Sequence, residues 1–136
     1  MKYLIDTSVI SDIIKNYSTV SERAYSITPG LIAISTITLF ETEYGMSLDP
    51  RKISRVRASL EALMKDAHIL PFTEEDAKYA GMVRAMLKKQ GTPIGPYDVL
   101  LAGCALSRDL IFVTSNTDEF SRVKGLQTEN WRLNNS

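Results

Sequence analysis

The sequence predicts an α/β fold, in which a central and mostly parallel sheet carries helices on both faces, giving three layers in α/β/α order. Three observations support this prediction. Short apolar or β-prone runs recur along the chain, and the segments between them place apolar residues at helical spacing. No internal repeat, low-complexity tract or linker divides the chain, so we expect residues 1–136 to form one domain. The predicted strands are KYLI (2–5), LIAIS (31–35), HILPF (68–72), LIFVT (110–114) and LQTEN (126–130).

Start and stop signals define four helices in order along the chain. Asp6, Ser35 and Thr73 each precede a helical segment and are residue types that cap helix N-termini. The fourth helix is predicted to begin at Pro96, because proline is favoured at the first helical position. Gly91 follows the third helix and is a typical C-terminal stop.

Charge and composition exclude several functional classes. The chain has 16 lysines and arginines and 16 aspartates and glutamates, so its formal net charge of +0 provides no general attraction to polyanions. No stretch approaches the roughly 20 apolar residues that a membrane span requires. There is no secretory signal pattern, and one cysteine cannot form an intrachain disulfide. We therefore expect a soluble protein of the cytoplasm.

The first apolar run ends on a carboxylate, Asp6, where the first helix is predicted to begin. Aspartate is a common N-cap there, because its side chain accepts hydrogen bonds from the free amides of the first turn. The carboxyl ends of the strands are also where ligands bind in open α/β sheets. Asp6 alone therefore fits both a structural and a functional role.

A second acid is predicted to face inward from the helix after Ser35. Glu41 falls on one helical face with Ile37, Tyr44 and Leu48, and charges seldom lie on an apolar stripe without a partner. Glu43 lies on the neighbouring face and is predicted to be solvated. Glu41 is therefore a candidate functional residue, whereas Glu43 is not.

A third acid belongs to the helix that begins at Pro96. Asp98 shares a face with Leu101, Ala102 and Ala105, so it is predicted to point inward as well. It also lies in the first turn, where the helix dipole favours the ionised carboxylate. A charge at this position is equally a common stabilising device, so both interpretations stand for Asp98 by itself.

Three acids at strand ends or on inward faces share one physical problem, because clustered carboxylates repel and burial raises their pKa values. A divalent cation would relieve it. Oxygen ligands without histidine or cysteine favour Mg²⁺ or Mn²⁺ over zinc, and Mg²⁺ usually takes one or two carboxylates and several waters. Such a site can activate water and neutralise a phosphate, which is the chemistry of phosphodiester hydrolysis.

Four segments in order resemble the motifs of the PIN-domain ribonucleases, in particular the VapC toxins of type II toxin–antitoxin systems. They are LIDTSVI (4–10), ISTITLFETEYG (34–45), GTPIGPYDVLLAGCA (91–105) and FVTSNTDEFSRVKGLQTENW (112–131). The resemblance covers nearly the whole chain. It implies a three-layer α/β/α PIN-like domain whose sheet gathers the acids around Mg²⁺, with Mn²⁺ as an alternative metal.

The same resemblance assigns roles to individual residues. Asp6, Glu41 and Asp98 match the first three acidic positions, with Asp6 and Asp98 as the principal metal ligands. At the fourth position many relatives have aspartate, whereas this chain has Asn116. Glu119, three residues later, is the other candidate to complete the site. All five are expected to be catalytic residues.

The expected substrate is a structured RNA such as tRNA, including initiator tRNA, and its cleavage would inhibit translation. The resemblance also implies a VapB-type antitoxin, a homodimer and a toxin–antitoxin hetero-oligomer. Two basic clusters are candidates for phosphate contact, although such residues are more often solubilising: one is 84–89, the other 51–57. Phe40 is predicted to be a core residue, while Tyr44 fits either the core or a protein interface.

Two alternatives belong to other functional classes. Asn116 in place of an acid would suit a catalytically inactive PIN-like module that binds RNA or protein. A phosphotransferase or phosphatase could use Asp6 as nucleophile, but Asp-Thr-Ser lacks the second aspartate expected two residues later. RNA turnover distinguishes the first alternative from the nuclease, and a trapped phosphoenzyme would identify the second.

Overall fold

Five short strands form one sheet in the computed structural model, which describes residues 1–133. The spatial order is β3-β2-β1-β4-β5, and every neighbouring pair is parallel. The predicted α/β fold with a mostly parallel sheet is thus confirmed, while the last three residues of the expected domain, 134–136, lie outside the described residues. The strands are β1 (Tyr3–Ile5), β2 (Ile32–Ser35), β3 (His68–Leu70), β4 (Ile111–Val113) and β5 (Thr128–Glu129).

Seven α-helices connect the strands within residues 1–133. The capping residues predicted for the first, third and fifth are confirmed as Asp6, Ser35 and Thr73, and the sixth begins at Pro96. Gly91 ends the fifth helix with a φ of 71°, a conformation that suits glycine. The helices are α1 (Thr7–Ile14), α2 (Ser18–Ser26), α3 (Thr36–Leu48), α4 (Ile53–Met64), α5 (Glu74–Gln90), α6 (Pro96–Ser107) and α7 (Thr117–Phe120).

The three layers follow from the alternation of side chains along each strand. Leu4, Ala33 and Phe112 point to one face of the sheet, where they pack with residues of α5 and α6. On the other face, Tyr3 and Ile5 of β1 and their neighbours pack with α1, α2 and α4. Burial on both faces explains why β1 and β4 are apolar throughout rather than alternating with polar residues.

Strand order places the site at one edge of the sheet. β1 lies between β2 and β4, and all three strands end on the same side because they are parallel. The residues directly after the strands therefore meet there: Asp6 after β1, α3 after β2, and Thr114 after β4.

The inward face predicted for α3 is confirmed at Ile37, which packs against the core, but is wrong at Tyr44 and Leu48. Tyr44 and Leu48 are 60% and 67% exposed, and Phe40, predicted to be core, is 50% exposed. The buried face instead carries Thr38, Thr42 and Met46. The pattern of apolar residues did not predict this buried face because two of its three residues are threonines. The Thr42 hydroxyl donates to the Thr38 carbonyl at 2.9 Å, which permits the burial of Thr42.

Within residues 1–133, no helix is both long and apolar enough to cross a lipid bilayer.

Candidate active site

Asp6 caps α1 and also points into the acidic site, so both interpretations of this residue hold. Its Oδ1 accepts the Thr7 amide at 2.7 Å. Its Oδ2 accepts the hydroxyl of Ser8 at 3.1 Å and that of Thr114 at 2.8 Å. The carboxylate thus joins the end of β1 to the end of β4.

Burial has the largest effect on the pKa of Asp6, which is only 7% exposed. Burial raises the pKa of this carboxyl group, and the charge of Glu119 raises it further, although the hydrogen bonds from Thr114, Thr7 and Ser8 act in the opposite direction. A carboxylate offers about four lone-pair positions, and the three hydrogen bonds leave one on Oδ1. Asp6 therefore retains a position for a cation.

Glu41 is half-buried on α3, and its Oε1 accepts the hydroxyl of Thr7 at 2.8 Å. Burial raises the pKa of Glu41, the hydrogen bond from Thr7 lowers it, and the charge of Asp6 raises it. Thr7 thus contacts one acid through its amide and another through its hydroxyl. The predicted inward orientation holds for Glu41, as it does for Ile37, even though Tyr44 and Leu48 of the predicted stripe are exposed.

Asp98 lies in the first turn of α6, as predicted. Burial raises its pKa to about 7, together with the charge of Glu119, a hydrogen bond between these two carboxyl groups, and the charges of Asp6 and Glu41. A helix N-terminus alone would lower the pKa of an acid. Burial, together with the negative charge around Asp98, therefore outweighs the helix dipole.

Glu119 and Asn116, the two candidates for the fourth acidic position, make different contacts. Glu119 Oε1 accepts the backbone amide of Gly95 at 3.1 Å, and its Oε2 accepts the side-chain amide of Asn116. Asn116 is exposed, and its own backbone amide donates to the Thr114 hydroxyl at 3.0 Å. Glu119 therefore brings a carboxylate to the cluster, while Asn116 holds that carboxylate in place.

Sequence reasoning missed several residues that hold the acids. Thr7, Ser8 and Thr114 supply hydroxyl donors, and the hydroxyl residues that follow Asp6 and β4 were the available signal. Gly95 is the fourth: a Cβ atom there would lie 2.9 Å from Asp98 Oδ2. Glycine at this position leaves room for the Asp98 carboxylate while its amide binds Glu119.

The acids of this cluster differ from the buried acids elsewhere in the protein. Asp76 pairs with Arg108, and Asp12 accepts two hydrogen bonds from Arg132 at 2.7 and 2.8 Å. By contrast, within residues 1–133 no lysine, arginine or histidine forms an ion pair with the clustered acids Asp6, Glu41, Asp98 and Glu119. The cluster thus combines mutual repulsion with the absence of a neutralising side chain.

This donor set suits a hard divalent cation. Carboxylate oxygens are the preferred ligands of Mg²⁺, and a cation would offset the burial and repulsion that raise the pKa values of Asp6, Glu41 and Asp98. In the described part of the chain, no three histidine, cysteine, aspartate or glutamate side chains form a ready-made metal cage. Mg²⁺ does not need one, because it usually takes one or two carboxylates and keeps several waters.

Comparison with protein families gives a match over most of the chain. Residues 3–126 match the PIN domain family. The chain is 37% identical over 131 residues to the tRNA(fMet)-specific endonuclease VapC of Shigella flexneri, covering 96% of this chain and 98% of the relative. It is 36% identical over 133 residues to the tRNA(fMet)-specific endonuclease VapC of Salmonella typhimurium, with the same coverage.

Solved structures agree with the sequence comparisons. The crystal structure of DNA-bound VapBC from Salmonella typhimurium superposes with a TM-score of 0.87 at 36% identity, covering 96% of this chain and 98% of the other. VapBC-1 from nontypeable Haemophilus influenzae gives a TM-score of 0.83 at 32% identity, covering 98% of this chain and 100% of the other.

Proposed function

Since the chain belongs to the PIN-domain family and within it to the VapC ribonucleases, we propose that it is a Mg²⁺-dependent endoribonuclease, the toxin of a toxin–antitoxin module. The observation that carries this proposal is the convergence of four carboxyl groups with no cationic side chain beside them; burial and the neighbouring acids raise the pKa values of Asp6, Glu41 and Asp98. A site of this kind needs a divalent cation and provides the setting for phosphodiester hydrolysis.

The acids divide into two roles in the proposed reaction. Asp6 and Asp98 would hold the metal, with Mn²⁺ as an alternative to Mg²⁺. When bound, the metal would neutralise charge at the phosphate and lower the pKa of water. Glu41 and Glu119 accept hydrogen bonds from the attacking water and orient it, and Asn116 holds Glu119 through its side-chain amide. No side chain needs to form a covalent bond with the RNA.

We propose a structured RNA, and specifically a tRNA such as initiator tRNA, as the substrate, so that cleavage would inhibit translation. The names of the relatives from Shigella flexneri and Salmonella typhimurium support this choice. Arg84, Lys88 and Lys89 are exposed and make no ion pair with the described residues, which leaves them available for phosphate contact. In the other basic cluster Arg51, Lys52 and Arg57 pair with nearby acids, as Arg57 does with Glu43 at 3.0 Å.

The proposed partner is a VapB-type antitoxin, as in the solved VapBC complexes. We also propose that the toxin forms a homodimer within a hetero-oligomer with that antitoxin, that residues 1–136 form one PIN domain, and that it acts in the cytoplasm. The exposed apolar side chains of α3, among them Tyr44 and Leu48, provide a surface for protein contact.

The alternative of an inactive binding module rested on Asn116 in place of an acid. Glu119 weakens that alternative, because its charge raises the pKa values of both Asp6 and Asp98 and thus supplies a fourth carboxylate to the cluster. The phosphotransferase alternative gains no support, because three hydrogen bonds already engage Asp6.

Cleavage of a total tRNA pool by the purified chain, freed of antitoxin, tests the proposal. We expect discrete fragments with Mg²⁺ and none with chelator or with Asp6→Ala. Glu41→Gln and Glu43→Gln form a matched pair on α3, because Glu43 is exposed and paired with Arg57. Glu41→Gln should lose most cleavage and Glu43→Gln should retain it. Cleavage that persists in chelator, or in Asp6→Ala, would refute the metal-dependent mechanism.

A further inference from the structure

One aromatic pair of the protein lies on the surface. The rings of Phe40 and Tyr97 are 5.4 Å apart at an interplanar angle of 54°, and the two residues are 50% and 45% exposed. Because the rings are tilted, they do not cover each other's faces. The other aromatic pairs of the described chain are buried in the core: Tyr3 with Trp131, and Phe112 with Phe120.

The exposed pair adjoins the acidic cluster on two separate helices. Phe40 directly precedes Glu41 on α3, and Tyr97 directly precedes Asp98 on α6. The two rings therefore meet across the same pair of helices that brings Glu41 and Asp98 together. Each ring therefore belongs to the residue next in sequence to a proposed catalytic acid, Glu41 or Asp98.

We propose that Phe40 and Tyr97 form a stacking site for one unpaired base of the RNA, next to the phosphate that is cleaved. This inference rests on the proposed ribonuclease function and adds to it a residue-level account of RNA binding. Aromatic side chains bind the faces of any base, so this contact would position the strand without selecting its sequence.

Charge explains why the site needs such a contact. The formal net charge of the chain is +0, and the cluster of Asp6, Glu41, Asp98 and Glu119 repels an approaching phosphate until a cation is bound. Electrostatic attraction therefore cannot hold RNA at this point by itself. Base stacking supplies affinity that does not depend on charge, and it acts close to the acids.

A protein contact is the competing use of this surface, since Phe40, Tyr44 and Leu48 form an exposed stripe at successive turns of α3. Tyr97 distinguishes an RNA-binding site from a protein interface on α3. It lies on α6, outside the exposed stripe, and its ring contacts the ring of Phe40. Tyr44 belongs to the same stripe but lies one helical turn beyond Phe40 on α3. Tyr44→Leu therefore serves as a matched control.

The test uses Phe40→Leu and Tyr97→Leu, which remove the ring but keep an apolar side chain, together with Tyr97→Phe, which keeps the ring, and Tyr44→Leu. The probe is a synthetic anticodon stem-loop of initiator tRNA in which 2-aminopurine replaces each loop base in turn. Binding is measured by the quenching of 2-aminopurine fluorescence with Ca²⁺ in place of Mg²⁺, so that a cation offsets the charge of the acids during the measurement. Steady-state cleavage of total tRNA with Mg²⁺, thermal unfolding and sedimentation velocity are measured on the same variants.

We expect quenching at one loop position with the wild type, and loss of that quenching in Phe40→Leu and Tyr97→Leu. Their Kd and KM values should rise about 5- to 100-fold, with a smaller change in kcat. Tyr97→Phe and Tyr44→Leu should bind the probe like the wild type. Unchanged Kd and KM in both leucine variants, while wild-type cleavage remains metal-dependent, would overturn the stacking site and leave the ribonuclease function standing.

Two further outcomes would also overturn the inference. If Phe40→Leu and Tyr44→Leu weaken RNA binding equally and both dissociate a dimer in sedimentation velocity, the surface is a protein interface. If the wild type neither binds the probe nor cleaves tRNA, the proposed function fails together with the stacking site.

Discussion

The hydroxyl of Thr114 donates a 2.8 Å hydrogen bond to Oδ2 of Asp6, joining residues that are 108 positions apart in the sequence. Thr114 is fully buried, and its hydroxyl also accepts the backbone amide of Asn116 at 3.0 Å. One side chain thus fixes the first acid of the site and the start of the segment that carries Glu119.

Removing this hydroxyl should impair both stability and activity. Thr114→Val removes one of the two hydrogen bonds to Asp6 Oδ2 and leaves the amide of Asn116 without its partner, so we expect the free energy of unfolding to fall by about 1–3 kcal/mol. Thr114→Ser keeps the hydroxyl and should retain most RNA cleavage. Urea unfolding and cleavage assays of both variants test this, and equal activities would show that the hydroxyl does not position Asp6.

Asp98→Asn should lose most activity while gaining stability in the absence of metal. The amide removes one negative charge from a group whose carboxyl pKa is raised by burial and by Glu119, Asp6 and Glu41. We expect a higher Tm than wild type in chelator, and little further increase on adding Mg²⁺. Wild-type cleavage by this variant would contradict the metal-site assignment.

Stability without metal should fall as the pH rises. The pKa of Asp98 is raised from 3.8 to about 7, so between these values the folded protein binds more protons than the unfolded chain. The stabilisation is therefore full at acidic pH and is lost as the pH rises toward 7. Mg²⁺ needs the deprotonated acid, so the Tm increase that it causes should grow over the same range. Thermal unfolding at several pH values, with chelator and with Mg²⁺, measures both trends, and a flat profile in chelator would count against the raised pKa.

Gly95→Ala should reduce activity through a steric effect. The added Cβ would lie 2.9 Å from Asp98 Oδ2 and displace that carboxylate. Gly81→Ala on α5 is the matched control, because nothing lies within 4 Å of its added Cβ. The control should cleave RNA normally and be more stable by about 0.5–1 kcal/mol, since alanine favours a helix over glycine. Full activity in Gly95→Ala would show that Asp98 tolerates the shift.

Asp76→Asn should lower stability and leave activity unchanged, the opposite of what we expect for Asp98→Asn. Burial alone would raise the pKa of Asp76, but the hydrogen bonds from Arg108, Ser107 and the Thr73 amide lower it below its ordinary value. Breaking this buried pair should cost about 3–5 kcal/mol of stability. The kcat of the folded protein, measured well below its Tm, should be unchanged. A stable Asp76→Asn variant with little activity would instead place Asp76 in the catalytic machinery.

Local signals predicted more of the fold than of the burial pattern. Asp6, Ser35, Thr73 and Pro96 mark helix starts correctly because capping depends on residues that are close in sequence. The prediction that Phe40 of α3 is a core residue was wrong, because the elements that pack against a helix decide which of its faces is buried. Thr42 occupies the buried side because its hydroxyl donates to the Thr38 carbonyl.

The sequence by itself determined the parallel α/β architecture and the identity of the acids, since strand runs, caps and motif residues are properties of short segments. Only the tertiary structure decided how those acids are held. The Thr7 hydroxyl on Glu41, the Thr114 hydroxyl on Asp6 and the Gly95 amide on Glu119 each join segments distant in sequence. Such contacts depend on strand order and helix placement, and these arise from packing of the whole chain rather than from any local pattern.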